Sequence, residues 1–88
     1  MAIIEKKSQP DYFTEIISGR KNFELRLNEF FITEGDTLRL REWDPKTKEY
    51  TGRTVDKKVT FVRRLTLDSL PWTEQEIKEK GLQIISIE

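Results

Sequence analysis

Alternation of apolar and polar residues restricts the fold of this chain more than any other feature. Every second residue from Phe23 to Leu27 is apolar, and the alternation returns over residues 37–43. A period of two residues is typical of a β-strand with one face in a core and the other in contact with solvent or ligand. The pattern predicts two strands in the first half of the chain, with a turn at Gly35 between them.

Two helices are predicted from their end signals. The first is expected to begin at Pro10, because proline suits the first helical position, and to end at Gly19, which suits a left-handed closing conformation. Thr73 and Glu76 have the spacing of a capping box, so a second, short helix is predicted from there to Gly81.

Further strands are predicted over residues 2–7, from residue 53 to residue 61 with a continuation as far as 67, and over residues 82–87. The polar segment over residues 44–49, which contains Pro45, predicts a hairpin loop between the strand that ends at residue 43 and the strand that follows. Five to six strands in a chain of 88 residues favour a small closed or nearly closed β-barrel, since closure removes unpaired edges. The expected fold class is therefore mainly β (α+β). One helix follows the first strand, a short one precedes the last, and residues 1–88 form a single domain.

The composition excludes several kinds of chemistry. Sixteen acidic and sixteen basic side chains cancel, so nucleic-acid binding would need a local patch or pocket rather than an overall positive charge. Cysteine and histidine are absent from the sequence, which removes disulfides, the usual transition-metal ligands and the commonest general base. We expect no metal and no other cofactor. Because the N-terminal apolar run is very short, we also expect no membrane association and a cytoplasmic protein.

Polar side chains are concentrated on one side of the first alternating segment. Lys21, Glu24, Arg26 and Asn28 bring two cations, a carboxylate and an amide to a short length of backbone. On an open strand face these charges would form an ordinary surface ion pair that contributes from zero to about 1 kcal/mol. In a cleft, the planar guanidinium of Arg26 would suit a phosphate or a base edge, and Glu24 would accept from an amine or orient the arginine. The periodicity leaves both interpretations open.

Aromatic and basic residues in the middle of the chain are further candidates. Trp43 and Tyr50 would serve either as platforms on which bases stack or as packing in the core or under a lid. Arg41 shares the strand phase of Trp43, and Arg53 follows a glycine. Both arginines are candidates for phosphate contacts in a basic stripe beside the cleft, or else belong to a solvated outer face.

The succession Gly19-Arg20-Lys21-x-x-Glu24-x-Arg26, followed by Gly35-Asp36 and Leu38-x-Leu40, resembles the ASCH domain. This family is named for the activating signal cointegrator and belongs to the PUA-like superfamily. The resemblance extends over most of the chain and is closest to a small bacterial and phage branch. It implies a PUA-like barrel with a cleft, between the first helix and the barrel wall, that takes RNA, a nucleotide or a modified nucleoside.

Two functions follow from the resemblance. The first is a monomeric binding module that holds its ligand at Lys21, Glu24 and Arg26. The second is a hydrolase acting on RNA or a modified nucleoside, with Glu24 and Lys21 as acid and base groups. Some members of the family hydrolyse an acylated cytidine with a threonine nucleophile at the position of Glu24. A carboxylate does not replace a hydroxyl in that reaction, so the binding module is favoured.

Overall fold

A computed structural model describes residues 1–85 of the chain. Its regular elements, in chain order, are β1 (Ile3–Ser8), α1 (Pro10–Ile17), β2 (Thr37–Asp44), β3 (Glu49–Lys58), a single 3-10 turn (Leu67–Ser69) and α2 (Glu74–Lys80). The strands form one sheet in the order β1-β2-β3, in which β2 is parallel to β1 and antiparallel to β3. The architecture of the described residues is therefore a small α+β unit built on an open sheet.

The core lies between α1 and one face of the sheet. Phe13 and Ile16, three positions apart on α1, are buried against Leu40 of β2. Leu38 and Val55 pack around this cluster from the central and outer strands. Residues at a spacing of three share one helical face, and β2 is the strand with a neighbour on each side. Phe13, Ile16 and Leu40 are the buried hydrophobic residues of the part of the chain that the structure describes.

The turn before β2 is fixed by the N-terminus of the chain. The Asp36 carboxylate accepts hydrogen bonds from the backbone N–H of Ala2, at 2.9 Å, and of Thr33, at 3.0 Å. These bonds, that of Ala2 first, lower the pKa of Asp36 below its ordinary value. Gly35 has a φ of +93°, a conformation that glycine adopts at little cost. The predicted turn at this glycine is confirmed.

The predicted strand over residues 23–27 is wrong. These residues have no strand structure, and the side chains of Leu25 and Leu27 are 75% and 78% exposed. A strand needs a neighbouring backbone to complete its ladder. Instead of a backbone ladder, the segment has a side-chain contact with the edge strand β1. The Arg26 Nη2 donates to the carbonyl of Lys7 at 2.6 Å.

The predicted barrel of five to six strands is also wrong, because the described residues contain an open sheet of three strands. β3 ends at Lys58 and does not continue to residue 61 or 67. The chain leaves the sheet where Val59 exchanges backbone hydrogen bonds with the turn at residues 35–36. With β1 and β3 as edges, the sheet is not closed into a barrel.

The last predicted strand, residues 82–87, is not found where it can be assessed. Residues 82–85 are not in a strand, and residues 86–88 lie outside the described residues. Both predicted helices are confirmed, although α1 ends two residues before Gly19. The capping box of α2 is formed as expected, with Thr73 and Glu76 each bonding the other's backbone N–H.

Candidate functional site

A groove of about 590 Å³ lies between the irregular segment of residues 21–32 and the segment of residues 57–65, which begins with the last two residues of β3. Its lining includes Leu38 and Leu40 of β2 and Ile16 of α1, so it reaches the helix-covered face of the sheet. Apolar and aromatic side chains from both segments complete much of the lining. Its volume is within the range of small-molecule sites, about 300–1,000 Å³.

Four of the residues predicted for the site line this groove. Lys21, Glu24, Arg26 and Asn28 all belong to its first wall. Glu24 lies between the two cations: one carboxylate oxygen is 3.6 Å from the Lys21 Nζ, and the other accepts from the Arg26 Nε at 2.8 Å. The bond from Arg26 to the Lys7 carbonyl fixes the guanidinium a second time. The wall therefore holds a preorganised arginine–carboxylate pair without being a strand.

The opposite wall is basic. Lys57, Lys58, Arg63 and Arg64 line the groove from this side. Arg64 donates to the carbonyl of Ile32 and so connects the two walls. Together with Lys21 and Arg26, the lining contains six basic residues, and Glu24 is its single acidic residue. A chain of zero formal net charge thus has a strongly positive local surface.

Arg41, Trp43 and Tyr50, also predicted for the site, lie elsewhere. They do not line the groove and contact one another at the β2–β3 hairpin. The rings of Trp43 and Tyr50 meet edge to face, with centroids 5.0 Å apart. The Arg41 guanidinium lies 3.8 Å from the centroid of Tyr50, and the Lys7 Nζ lies 3.8 Å from that of Trp43. The structure separates this cluster from the groove.

Arg53, the eighth predicted residue, forms an ion pair with the buried Glu42, a pair that sequence reasoning missed. Its Nε and Nη2 donate to the two carboxylate oxygens of Glu42 at 3.0 and 2.7 Å, and the Thr51 hydroxyl donates at 2.6 Å. Glu42 is only 3% exposed. The hydrogen bonds from Arg53, and then from Thr51, lower the pKa of Glu42 below its ordinary value.

A sequence signal for this pair exists. Glu42 follows Leu38 and Leu40 at the same phase of β2, so the alternation places a carboxylate on the buried face. Charged groups are rarely fully buried unless they are paired, which predicts a cation nearby. Because Arg53 holds both oxygens of Glu42, this arginine serves the fold in the described structure.

Residues 1–85 contain neither a metal-binding cluster nor a membrane-spanning helix. No group of three or more acidic, histidine or cysteine side chains there is arranged to hold a metal ion. In the same part of the chain, no helix has both the length and the apolar character needed to cross a membrane.

Comparison with known proteins gives one curated relative and a family. The chain is 36% identical over 64 residues to the "Uncharacterized 12.9 kDa protein in GpA 3'region" of Escherichia phage P2, an alignment that covers 73% of the chain and 57% of the relative. The chain thus spans little more than half the length of that protein. No solved structure gives a significant match. The family match covers residues 4–71, which include α1, β2, β3 and both groove walls, and the chain belongs to the family described as "Domain of unknown function (DUF3850)".

Proposed function

We propose that this domain binds RNA or a nucleotide, modified nucleosides included, in the groove between residues 21–32 and 57–65. The observation that carries the proposal is the concentration of six basic residues around a groove with a largely apolar lining, in a chain without net charge. Phosphate is attracted by such a cluster, while bases and sugars favour contact with the apolar and aromatic lining.

Arg26 is the residue best suited to recognise the ligand. Its bonds to Glu24 and to the Lys7 carbonyl use two of its five N–H groups and hold the guanidinium plane in place. A planar donor fixed in this way binds phosphate or a base edge at a lower entropic cost than a free side chain. Lys21 adds a point charge beside it, and Asn28 adds an amide to the same wall.

A hydrolase that uses Glu24 and Lys21 fits this geometry less well. One oxygen of Glu24 accepts from Arg26 and the other faces Lys21, so both are engaged by cations. A general base needs a lone pair directed at the substrate proton. Purified protein incubated with RNA and with acylated nucleosides is therefore expected to give no product. Product formation that disappears in Glu24→Gln would replace the binding proposal with the enzymatic one.

The relationship to the ASCH family is part of this proposal and rests on the Gly19-to-Arg26 motif, since the implied barrel is not the fold. A cytoplasmic, monomeric form is proposed with it. The groove itself supports binding on grounds of charge and shape, independently of the motif.

The test is a comparison of Lys21→Ala and Arg26→Ala with Lys46→Ala, which removes an exposed cation from the β2–β3 loop. Affinity for a panel of labelled single-stranded RNAs is measured by fluorescence anisotropy, and affinity for nucleosides by calorimetry. Loss of one hydrogen bond to a charged ligand group lowers affinity about tenfold. We expect that loss in the two groove variants, with little change in Lys46→Ala and in the melting temperature. Binding equal to wild type in both groove variants would remove the site from consideration.

A further inference from the structure

The face of the sheet opposite α1 has an aromatic and basic cluster that the proposed function does not use. We define the outer-face cluster as Lys7 of β1, Arg41 and Trp43 of β2, and Tyr50 of β3. Trp43 and Tyr50 meet edge to face, and a cation lies over each ring at 3.8 Å from its centroid. The Lys7 Nζ is also 5.9 Å from the centroid of Tyr50. Each of the three strands thus contributes at least one residue to a continuous surface.

The acidic groups of the same face are engaged elsewhere. Arg39 holds both oxygens of Asp56, at 2.8 and 3.0 Å, and lies 3.7 Å from Glu5. Within residues 1–85, neither Lys7 nor Arg41 has a carboxylate within 4.0 Å of its charged nitrogens. These two cations therefore rest on aromatic rings, which attract them less strongly than an anion would.

We propose that the outer-face cluster is a binding surface for single-stranded nucleic acid, separate from the groove. A base would stack on the ring of Tyr50, which is 40% exposed, or of Trp43. The displaced cation would then bind the adjacent phosphate. The exchange replaces each cation–ring contact with a stacking contact and an ion pair, so both ring and cation retain a partner.

Charge complementarity with aromatic content favours this occupant over other anions. An acidic peptide or an anionic membrane would attract Lys7 and Arg41 but would offer no planar group to the rings that the cations leave. Nucleic acid supplies a flat ring beside each phosphate, whatever its sequence. The proposal therefore predicts binding that depends on both the aromatic and the basic residues, and that weakens steeply with salt.

The experiment uses the two tryptophans of the chain. Trp72→Phe leaves Trp43 as the one indole, so its fluorescence reports on the outer face alone. Titration with a single-stranded oligonucleotide of about ten nucleotides, as oligodeoxythymidine and as oligouridine, is expected to quench Trp43. Polyglutamate of matched charge and phosphatidylserine vesicles are expected to have little effect. If polyglutamate or the vesicles bound as tightly as the oligonucleotides, the surface would be assigned to an acidic protein or to a membrane, and the proposal would be overturned.

Variants in the Trp72→Phe background locate the binding. Lys7→Gln and Arg41→Gln each remove one phosphate contact and should lower affinity several-fold and reduce its salt dependence, whereas Lys46→Gln serves as the matched control. Tyr50→Ala should lower affinity about tenfold. If that variant fails to fold, as shown by circular dichroism, the two glutamine variants decide. Equal affinity in Lys7→Gln, Arg41→Gln and Lys46→Gln, or no quenching of Trp43, would overturn the proposal.

The result is independent of the groove. Lys21→Ala, a groove variant, should leave the quenching of Trp43 unchanged. Quenching that persists, while the groove variants combined with Arg41→Gln bind RNA as well as Arg41→Gln alone does, would reject the proposed function and keep this inference. If the groove variants lose RNA affinity and Trp43 is not quenched, the proposed function stands and this inference is rejected.

Discussion

Two segments with the same alternating pattern have different structures. Residues 23–27 alternate strictly and form no strand, with Leu25 and Leu27 exposed. β2 alternates less regularly, since Glu42 interrupts its apolar series, and yet it is the central strand of the sheet with Leu40 fully buried. The segment with the more regular alternation, residues 23–27, is thus the one that forms no hydrogen-bonded strand pairing.

The difference shows that alternation selects a face only where a backbone partner exists. β2 has hydrogen-bonded neighbours on both sides and α1 over one face, so each alternate residue has a defined environment. The 23–27 segment meets the edge strand β1 through the Arg26 side chain, which leaves its backbone without a ladder. Its charged residues are held by pairing with one another instead.

The largest expected effect comes from two leucine-to-alanine variants, one in β2 and one in residues 23–27, which test whether the two segments differ in packing. Leu40→Ala removes a fully buried side chain from β2 and should lower the free energy of unfolding by about 2–5 kcal/mol. Leu25→Ala removes an exposed one and should change it by less than about 0.5 kcal/mol. Both are measured by urea unfolding followed by circular dichroism. Similar losses in the two variants would mean that residues 23–27 pack as a strand after all.

A second pair of variants, Glu42→Gln and Glu24→Gln, compares the ion pairs of the two segments. Glu42→Gln weakens the pair between the buried Glu42 and Arg53 and should lower the free energy of unfolding by about 1–2 kcal/mol, since hydrogen bonds to charged groups contribute more than neutral ones. Because the side chain of Arg53 is 55% exposed, solvent screens the pair, and the expected loss lies at the low end of the range for hydrogen bonds to charged groups. Glu24→Gln, in the groove wall, should cost less than about 1 kcal/mol. Equal losses would show that the two pairs are equivalent.

The pH dependence of the Glu42 effect has a definite sign. The folded state lowers the pKa of Glu42 below its ordinary value of 4.5, so the stabilisation is complete above that pH. It disappears as the pH falls through the lowered pKa. The difference in unfolding free energy between wild type and Glu42→Gln should therefore shrink on acidification, as measured by urea unfolding across a pH series. A difference that grows towards low pH would contradict the assigned ion pair.

A small effect on stability is also expected at Arg26. Arg26→Ala removes the bond to the Lys7 carbonyl and the pair with Glu24, both at the protein surface, and should lower the free energy of unfolding by at most about 1 kcal/mol. Thermal unfolding gives the measurement, with Lys46→Ala as the control. A larger loss would mean that Arg26 is a structural residue, and the binding test of this position would then need the milder Arg26→Lys.

Local signals in the sequence predicted the local elements. Pro10 and the spacing of Phe13 and Ile16 predicted α1, and the capping box predicted α2. Alternation predicted β2, and the loop at residues 44–49 predicted the hairpin with β3. Each of these depends on residues close together in the chain, so the sequence contains the necessary information.

Strand pairing was decided by the tertiary structure. Whether residues 23–27, 59–67 or 82–85 join a sheet depends on a partner distant in sequence, and the barrel prediction assumed partners that the fold does not provide. The same applies to the site. Residue type identified eight candidates as polar or aromatic groups suited to a ligand, a prediction that stays open, and their grouping depends on which segment and which face they occupy.

The sequence by itself determined the helices, the β2–β3 hairpin, the neutral total charge and the absence of histidine and cysteine chemistry. Only the tertiary structure decided that the candidates divide into a groove wall, an outer-face cluster and an arginine, Arg53, that pairs with the buried Glu42. The physical reason is that hydrogen-bonded ladders and the burial of charge are settled between distant segments. A pattern within one segment defines what its faces can offer, and the neighbouring strands determine what those faces meet.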